Sequence, residues 1–451
     1  MPDVTRRSLS ATALVAVLLV WGAPAQAQIA GLEEWAEMIA RAQTPHWAGQ
    51  RTPWPSHEER PGPEVFQLRS SLRPVSVHAL AGVSPATALR SLEALEAAYD
   101  WARVRGWGTA PGDAGAGGTS GLDLYLVAGA TDESDARADA PVAGEFLDSM
   151  TAFAVVDADV DPDALEACVT SAYVQAVLIG QDPAEARAWR RATGDFVAWL
   201  VTGRFGGGAA VVKQQQEPWR GWVLHEGDGA GGALWLAMIS ARADGGSGSF
   251  VRDMWQLARQ RTWEGSDLRG APDLWMAFKK ALELAGENLD NFIEEAAVAR
   301  YFAGEPRRAA QAPFSLLRQL GVEATVPVLG RGEWAHLPRH LPVTDPAIEP
   351  YGSAYGVVDV RGAPPGSRLR LWLEGEFGVR WSFVAVRLDD SGRELARLTA
   401  PATRNPRSFL VLELAPGTAE VLLVGTNLSV RLPDADIPDE DVRAFQFVIT
   451  R

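Results

Sequence analysis

Apolar positions recur at the helical period from Ser84 to Val104, where Leu89, Leu92, Leu95, Ala98 and Tyr99 share a stripe. Ser84 suits the N-cap of that helix and Pro85 its first turn. Leu122 to Val127 alternates and predicts a strand, and Thr151 to Asp157 predicts another. A helix is expected over Asp163 to Ile179, with Leu165, Cys168, Val169, Ala172, Ala176 and Val177 on one face. Asp161-Pro162 opens it and Gly180 closes it. After a short turn comes a Trp-rich helix ending near Trp199. Four further helices are expected: Ala233 to Arg242, Ser249 to Arg261, Leu274 to Ala285 and Leu289 to Phe302. Between these runs, 28–75 is polar and Pro-rich with one helical stretch at Leu32 to Arg41. Residues 106–121 and 203–231 are Gly-rich, and 129–144 reads as an acidic, Ala-rich surface loop.

The pattern changes near residue 340. Pro338, Pro342, Pro346 and Pro350 mark a linker, and short alternating runs follow it: 354–360, 368–373, 381–388, 395–398, 409–414, 420–424 and 444–449. Asp389-Asp390-Ser391-Gly392 is a hairpin turn between two of them. Seven strands at this spacing predict a sandwich of immunoglobulin or jelly-roll type. The expected fold class is α+β: a mostly helical domain with a small N-terminal sheet, then an all-β sandwich. The expected boundaries are a leader at 1–27, an extension at 28–74, the helical domain at 75–337, the linker at 338–350 and the sandwich at 351–451.

Arg6 and Arg7, the apolar run Ala11 to Trp21 and the small-x-small site Ala25-Gln26-Ala27 predict an export signal, with Gln28 as the first mature residue. Thr5-Arg6-Arg7-Ser8-Leu9 loosely matches the twin-arginine pattern. No later run supplies the roughly 20 apolar residues of a membrane helix, so a soluble periplasmic or extracellular protein is expected. The net charge of −15 becomes −16 without the leader, whose Asp3, Arg6 and Arg7 sum to +1. That disfavours nucleic acid and anionic membranes as partners. The single cysteine, Cys168, allows no internal disulfide and fits a core thiol better than a nucleophile.

Three stretches resemble a bacterial family of exported gluzincin-type zinc metallopeptidases. Leu122-Asp123-Leu124-Tyr125-Leu126 resembles the family's edge strand. Ala167 to Trp199 resembles its zinc helix and the helix supplying the third ligand. Gly231-Gly232-Ala233-Leu234-Trp235 through Arg300-Tyr301-Phe302-Ala303-Gly304 resembles the helical subdomain behind the site. The trailing sandwich also fits, through Tyr351-Gly352-Ser353-Ala354-Tyr355, Leu373-Glu374-Gly375 and Thr426-Asn427-Leu428. The resemblance implies zinc held by His-Glu-x-x-His, two imidazoles on one helix face with Glu as base. That motif is absent. The first ligand position falls on Thr170, the catalytic Glu on Ser171, the second ligand on Val174 and the third near Arg191. None of these can hold zinc, and Ser171 cannot serve as the carboxylate base. Arg191 either pairs with Asp195, Glu185 or an acidic ligand, or is a solvated surface residue.

The six His (His46, His57, His78, His225, His336 and His340) are dispersed, and Pro338 breaks the i, i+4 spacing of His336 and His340. Asp434, Asp436 and Asp439, with Glu440 and Asp441, could supply oxygens to calcium but do not match an EF-hand; a solvated turn is the simpler reading. No Gly-x-Ser-x-Gly elbow or phosphate loop occurs. Trp219 and Trp222, in a Gly/Pro context, are candidates to line a cleft with Asp195, though most of the 17 Trp read as core. The expected function is that of an exported pseudo-metallopeptidase without zinc, binding a peptide or protein partner in the vestigial cleft. The alternatives are a hydrolase using other residues of that cleft and a structural envelope or secretion module.

Overall fold

The computed structural model describes residues 58–142, 148–221, 229, 231–259, 273–304, 317, 319–403, 405–429 and 441–451, with the backbone of 51–52 and 268–269. The leader, the 32–41 helix, His46, His57, Trp222, His225, Asp434, Asp436 and Asp439 lie outside them.

The first unit is built on a five-stranded mixed sheet of β1 (Phe66–Arg69), β2 (Val75–Ala79), β3 (Leu122–Val127), β4 (Ser134–Pro141) and β5 (Met150–Asp157). The order is β1-β2-β3-β5-β4. The three inner strands run parallel, and β1 and β4 close the edges antiparallel. Helix α1 (Pro85–Val104) makes the crossover from β2 to β3, and α2 (Leu165–Ile179) follows β5. Alternation sorts the faces. Val75, Val77, Ala79, Leu122, Leu124, Leu126, Ala154 and Val156 share a core with α1 and α2. Ser76, His78, Asp123, Tyr125 and Phe153 are the alternate, opposite-facing residues and are buried as well.

Helices α3 (Arg187–Thr202), α4 (Gly208–Gln216), α5 (Ala233–Ala243), α6 (Ser249–Ala258), α7 (Leu274–Leu284) and α8 (Leu289–Arg300) complete this unit. Gly203, at φ +76°, closes α3 in the left-handed conformation.

The second unit is a sandwich. One sheet joins β6 (Gly330–Glu333), β8 (Ser353–Asp359), β10 (Trp381–Leu388), β11 (Glu394–Thr403) and β13 (Glu420–Asn427), in the order β11-β10-β13-β8-β6. The other joins β7 (Arg339–Ile348), β9 (Arg368–Gly375), β12 (Arg407–Glu413) and β14 (Arg443–Thr450), in the order β12-β9-β14-β7. In β13, Val421 and Leu423 face the sandwich core, while Leu422 and Val424 join the core of the first unit. A strand buried on both faces reads as a continuous apolar run, as Val421 to Val424 does. The second sheet has one wet face, and β9 and β12 alternate cleanly. Hydrogen bonds fasten the units: Tyr355 Oη donates to Ala297 O (2.7 Å), Ser382 Oγ to Glu294 (2.5 Å) and Arg380 Nη2 to Asp290 Oδ1 (2.9 Å).

Three expectations are corrected. The protein is not mostly helical: the described residues hold eight α-helices and fourteen strands in three sheets, leaving aside a two-residue ladder at 51–52 and 268–269. The missed strands are short or polar on one face. Strand β4, Ser-Asp-Ala-Arg-Ala-Asp-Ala-Pro, sends only alanines toward the helices and so resembles a surface loop. The edge strands are β1 and β4, and Leu122–Val127 lies inside the sheet between β2 and β5. The stretch 338–350 holds strand β7, paired with β14. Its prolines are tolerated because β7 is an edge strand, so the sandwich starts near residue 330.

Candidate functional site

Every residue of α2 from Ala167 to Ile179 is buried. The sheet, α1 and α3 enclose the helix all round, so its apolar stripe is wider than an amphipathic helix needs. Of the four positions where the resemblance places zinc chemistry, Thr170 donates back to Glu166 O (2.8 Å) and Val174 packs in the core. Ser171 and Arg191 stand at the wall of a cavity of about 190 Å³ or directly behind it.

That cavity lies between the turn leading into β4, helices α2 and α3, and the start of α4. Its lining includes Asp132, Glu133, Gln175, Arg191, Asp195 and Ala209. At its wall Ser171 Oγ donates to Asp195 Oδ1 (2.7 Å), and the Gly207 N–H donates to Asp195 Oδ2 (2.8 Å). Gln175 Nε2 donates to Ser171 Oγ (3.2 Å). Two glycines make this approach possible. A Cβ on Gly194 would sit 2.7 Å from Ser171 O, and one on Gly206 would sit 2.9 Å from Asp195 Oδ1. The α2–α3 contact is thus closed down on the Ser171–Asp195 pair.

Burial pushes the Asp195 carboxyl up to about 6, against the opposing pull of Ser171, Gly207 and Arg191. Glu133 is also held above its ordinary value by lost hydration. Arg191 Nη2 pairs with Asp132 Oδ1 (2.8 Å) on the β4 turn; this partner was not among those the sequence suggested. Arg187 braces the same turn through Asp132 (2.7 Å) and Asp135 (2.6 Å). Loss of water raises Asp132, but the two arginines outweigh it and leave its carboxyl below the usual range. The lining therefore carries three carboxyls against one guanidinium.

Asp195 lies in the cleft as expected, but Trp219 does not. It packs against the sandwich core, and its carbonyl accepts the Glu349 N–H (3.0 Å). Cys168 is fully buried, donates to Gly206 O and has its thiol pushed up by burial, which removes it as a nucleophile. His336 and His340 are exposed in the second unit.

Two buried ionic clusters were missed. On the open face of the sheet, Arg60 pairs with Asp113 (2.7 Å), Asp123 (2.7 Å) and Asp139. Beside it His78 lies between Glu64 and Asp123 (3.0 Å). Asp123 is held at about 2: His78, Ser76 and Thr119 outweigh the cost of burial. Three carboxylates surround Arg60, which fills the place a cation would take. The alternation of Ser76 and His78 with Val75 and Val77 was the signal in the sequence. The second cluster, Asp182, Glu185 and Arg190, sits between α2 and α3. There burial pushes Asp182 well up and Glu185 to about 7. Among the described residues, no three His, Cys, Asp or Glu form a group that could hold a metal ion.

No family model matches the chain, and neither does any curated protein. Two solved structures show limited likeness. One is the pre-peptidase C-terminal domain of a collagenase from Bacillus anthracis, 10% identical, covering 28% of this chain and 97% of that one, at a TM-score of 0.18. The other is the enzymatically active domain of tailspike protein 4 of bacteriophage CBA120, 13% identical, covering 23% of this chain and 14% of that one, at a TM-score of 0.17. Likenesses this slight carry no argument about fold or activity, and they do not establish a gluzincin family.

Proposed function

We propose that this chain is an exported pseudo-metallopeptidase that binds an extended peptide in the cleft between the β4 turn and helices α2 and α3. The observation that carries this reading is the cavity. It is walled by the helix pair that the resemblance equates with the zinc-bearing pair, and Ser171 and Arg191 stand where the catalytic Glu and the third ligand would be. Neither residue can support zinc hydrolysis. Strand β4 starts at this cavity and is the edge of its sheet. Among the described residues β5 is its sole strand partner. An edge strand beside a pocket suits strand addition, with main-chain hydrogen bonds for affinity and a side chain in the pocket for selectivity.

The test is peptide binding to the purified mature chain and to an Ala209→Trp variant that fills the cavity mouth. The proposal expects binding to the parent, loss in the variant and unchanged thermal unfolding. Equal binding to both proteins would place the ligand elsewhere. A second reading, hydrolysis by other groups of the cleft, draws on Asp195, whose carboxyl at about 6 suits proton transfer close to neutral pH. Peptide cleavage by the parent but not by Asp195→Asn would favour it.

A further inference from the structure

We propose that the polar face of the first sheet holds a socket for an arginine side chain. Segment 58–65 plugs it with Arg60 as a displaceable strap, and an arginine of a second polypeptide takes the same place when the strap lifts. The socket lies on the face of the sheet turned away from α1 and α2 and is independent of the reading given to the α2–α3 cavity. Its three carboxylates come from separate elements: Asp113 from the loop before β3, Asp123 from β3 and Asp139 from β4. They are 8%, 0% and 5% exposed. Two are positioned without Arg60. Asp113 accepts the Gly115 N–H (2.9 Å) and the Gly117 N–H (3.1 Å). Asp123 accepts from Ser76, from Thr119 Oγ1 (2.9 Å) and from His78 (3.0 Å). The guanidinium enters as a fork: Nη1 donates to Asp123 Oδ2 (2.7 Å), and Nη2 to Asp113 Oδ2 (2.7 Å) and to Asp139. Its Cζ lies 5.2 Å from the centroid of the Phe153 ring, which Tyr125 braces edge-on at 5.7 Å. Gly117 roofs the site, since a Cβ there would stand 2.3 Å from Arg60 Nη1. Fixed carboxylates at both arms of the fork and an aromatic ring beneath it suit a planar guanidinium better than a compact ammonium.

The second observation is how the plug is held. Residues 58–65 form no helix or strand, and only Arg60 and Pro61 among them are half-buried; the other six are exposed. Val65 is 65% exposed and belongs to no core. Besides Arg60, the ties of this segment among the described residues are Glu58 to Arg137 (3.3 Å), Glu64 to His78, and the Val65 N–H to Ala79 O (2.8 Å). A strap fastened by charge, with almost no apolar area buried, opens at far lower cost than the sheet beneath it, whose other face is apolar core. Arg60 Nε is buried without a hydrogen-bond partner among the described residues, so the plug sits in its socket with one donor unsatisfied, which weakens its hold.

The experiment is calorimetric titration of the full chain at pH 7 and about 0.15 M salt, where long-range attraction to an acidic protein is screened. The probes are the capped pentapeptide Ala-Ala-Arg-Ala-Ala and its lysine counterpart, which carries the same charge without the fork. Three proteins are compared: the parent, Arg60→Ala, which empties the socket, and a double variant Glu58→Gln, Glu64→Gln, which loosens the strap at exposed positions and leaves the socket intact. The arginine peptide should bind Arg60→Ala about tenfold more tightly than the lysine peptide does. It should bind the parent about a hundredfold more weakly than Arg60→Ala, because the strap must first come off. The loosened variant should bind it about fivefold more tightly than the parent. Equal affinity of the two peptides for Arg60→Ala, or no binding to any of the three proteins, would overturn the socket. A loosened variant that binds no better than the parent would overturn the displaceable strap and leave Arg60 a fixed structural ion pair; this comparison holds even if Arg60→Ala fails to fold.

Discussion

Converting Asp195 to Asn should make the protein more stable at neutral pH. Asp195 is 1% exposed, and its carboxyl is pushed from an ordinary value of 3.8 up to about 6. A group whose folded value is raised binds its proton more tightly in the native state, so stability falls as pH rises from the unfolded value through the folded one. With about 1.4 kcal/mol per unit, ionised Asp195 costs about 3 kcal/mol at pH 7.5 and about 1 kcal/mol at pH 4.5. Asparagine removes that cost and can keep both bonds, its oxygen accepting from the Gly207 N–H and its amide donating to Ser171 Oγ. Allowing for imperfect hydrogen bonding, the variant should gain about 1–3 kcal/mol at pH 7.5, and the gain should shrink by about 2 kcal/mol at pH 4.5. Denaturant unfolding of parent and variant across this pH range measures both the gain and its change with pH. A variant less stable than the parent at pH 7.5, or a gain that does not change with pH, would refute the assignment of Asp195 as a buried acid strained by its own charge.

Gly194→Ala places a Cβ 2.7 Å from the Ser171 carbonyl and should destabilise by about 1–3 kcal/mol, as overpacking does, read by the shift in denaturation midpoint. Arg60→Met removes the guanidinium that pairs with buried Asp113, Asp123 and Asp139, while Asp123 keeps His78 beside it. It should cost about 3–5 kcal/mol at pH 7, read by the shift in denaturation midpoint. Removing residues 330–451 exposes the apolar patch that receives Leu422 and Val424, so the remaining fragment should bind a hydrophobic dye and aggregate, as light scattering would show.

Elements with one dominant periodicity were legible in the sequence. Helix α1 carries its stripe and its cap, with Ser84 Oγ accepting the Thr87 N–H at 3.0 Å. Strands β9 and β12 alternate because only one face is wet. The N-terminal sheet was legible only in part, because its second face mixes Arg60, His78 and their carboxylates with the apolar Tyr125, Phe153 and Val155. A buried ionic face breaks the hydrophobic pattern without ceasing to be core. Strand β7 was hidden by its own prolines. At the candidate site, Ser171, Arg191 and Asp195 could be named from the order of helices. Asp132, Glu133 and Gln175 could not: two belong to a turn that became part of the site only when β4 closed the sheet edge, and Gln175 sits on a helix that is buried all round.

The most direct test of the central claim is the zinc content of the purified protein, by elemental analysis after dialysis against zinc-containing buffer. The account predicts no stoichiometric zinc, because Thr170, Val174 and Arg191 occupy the positions where ligands would stand. One zinc per chain would contradict it and place a metal site among residues other than those at the α2–α3 cleft.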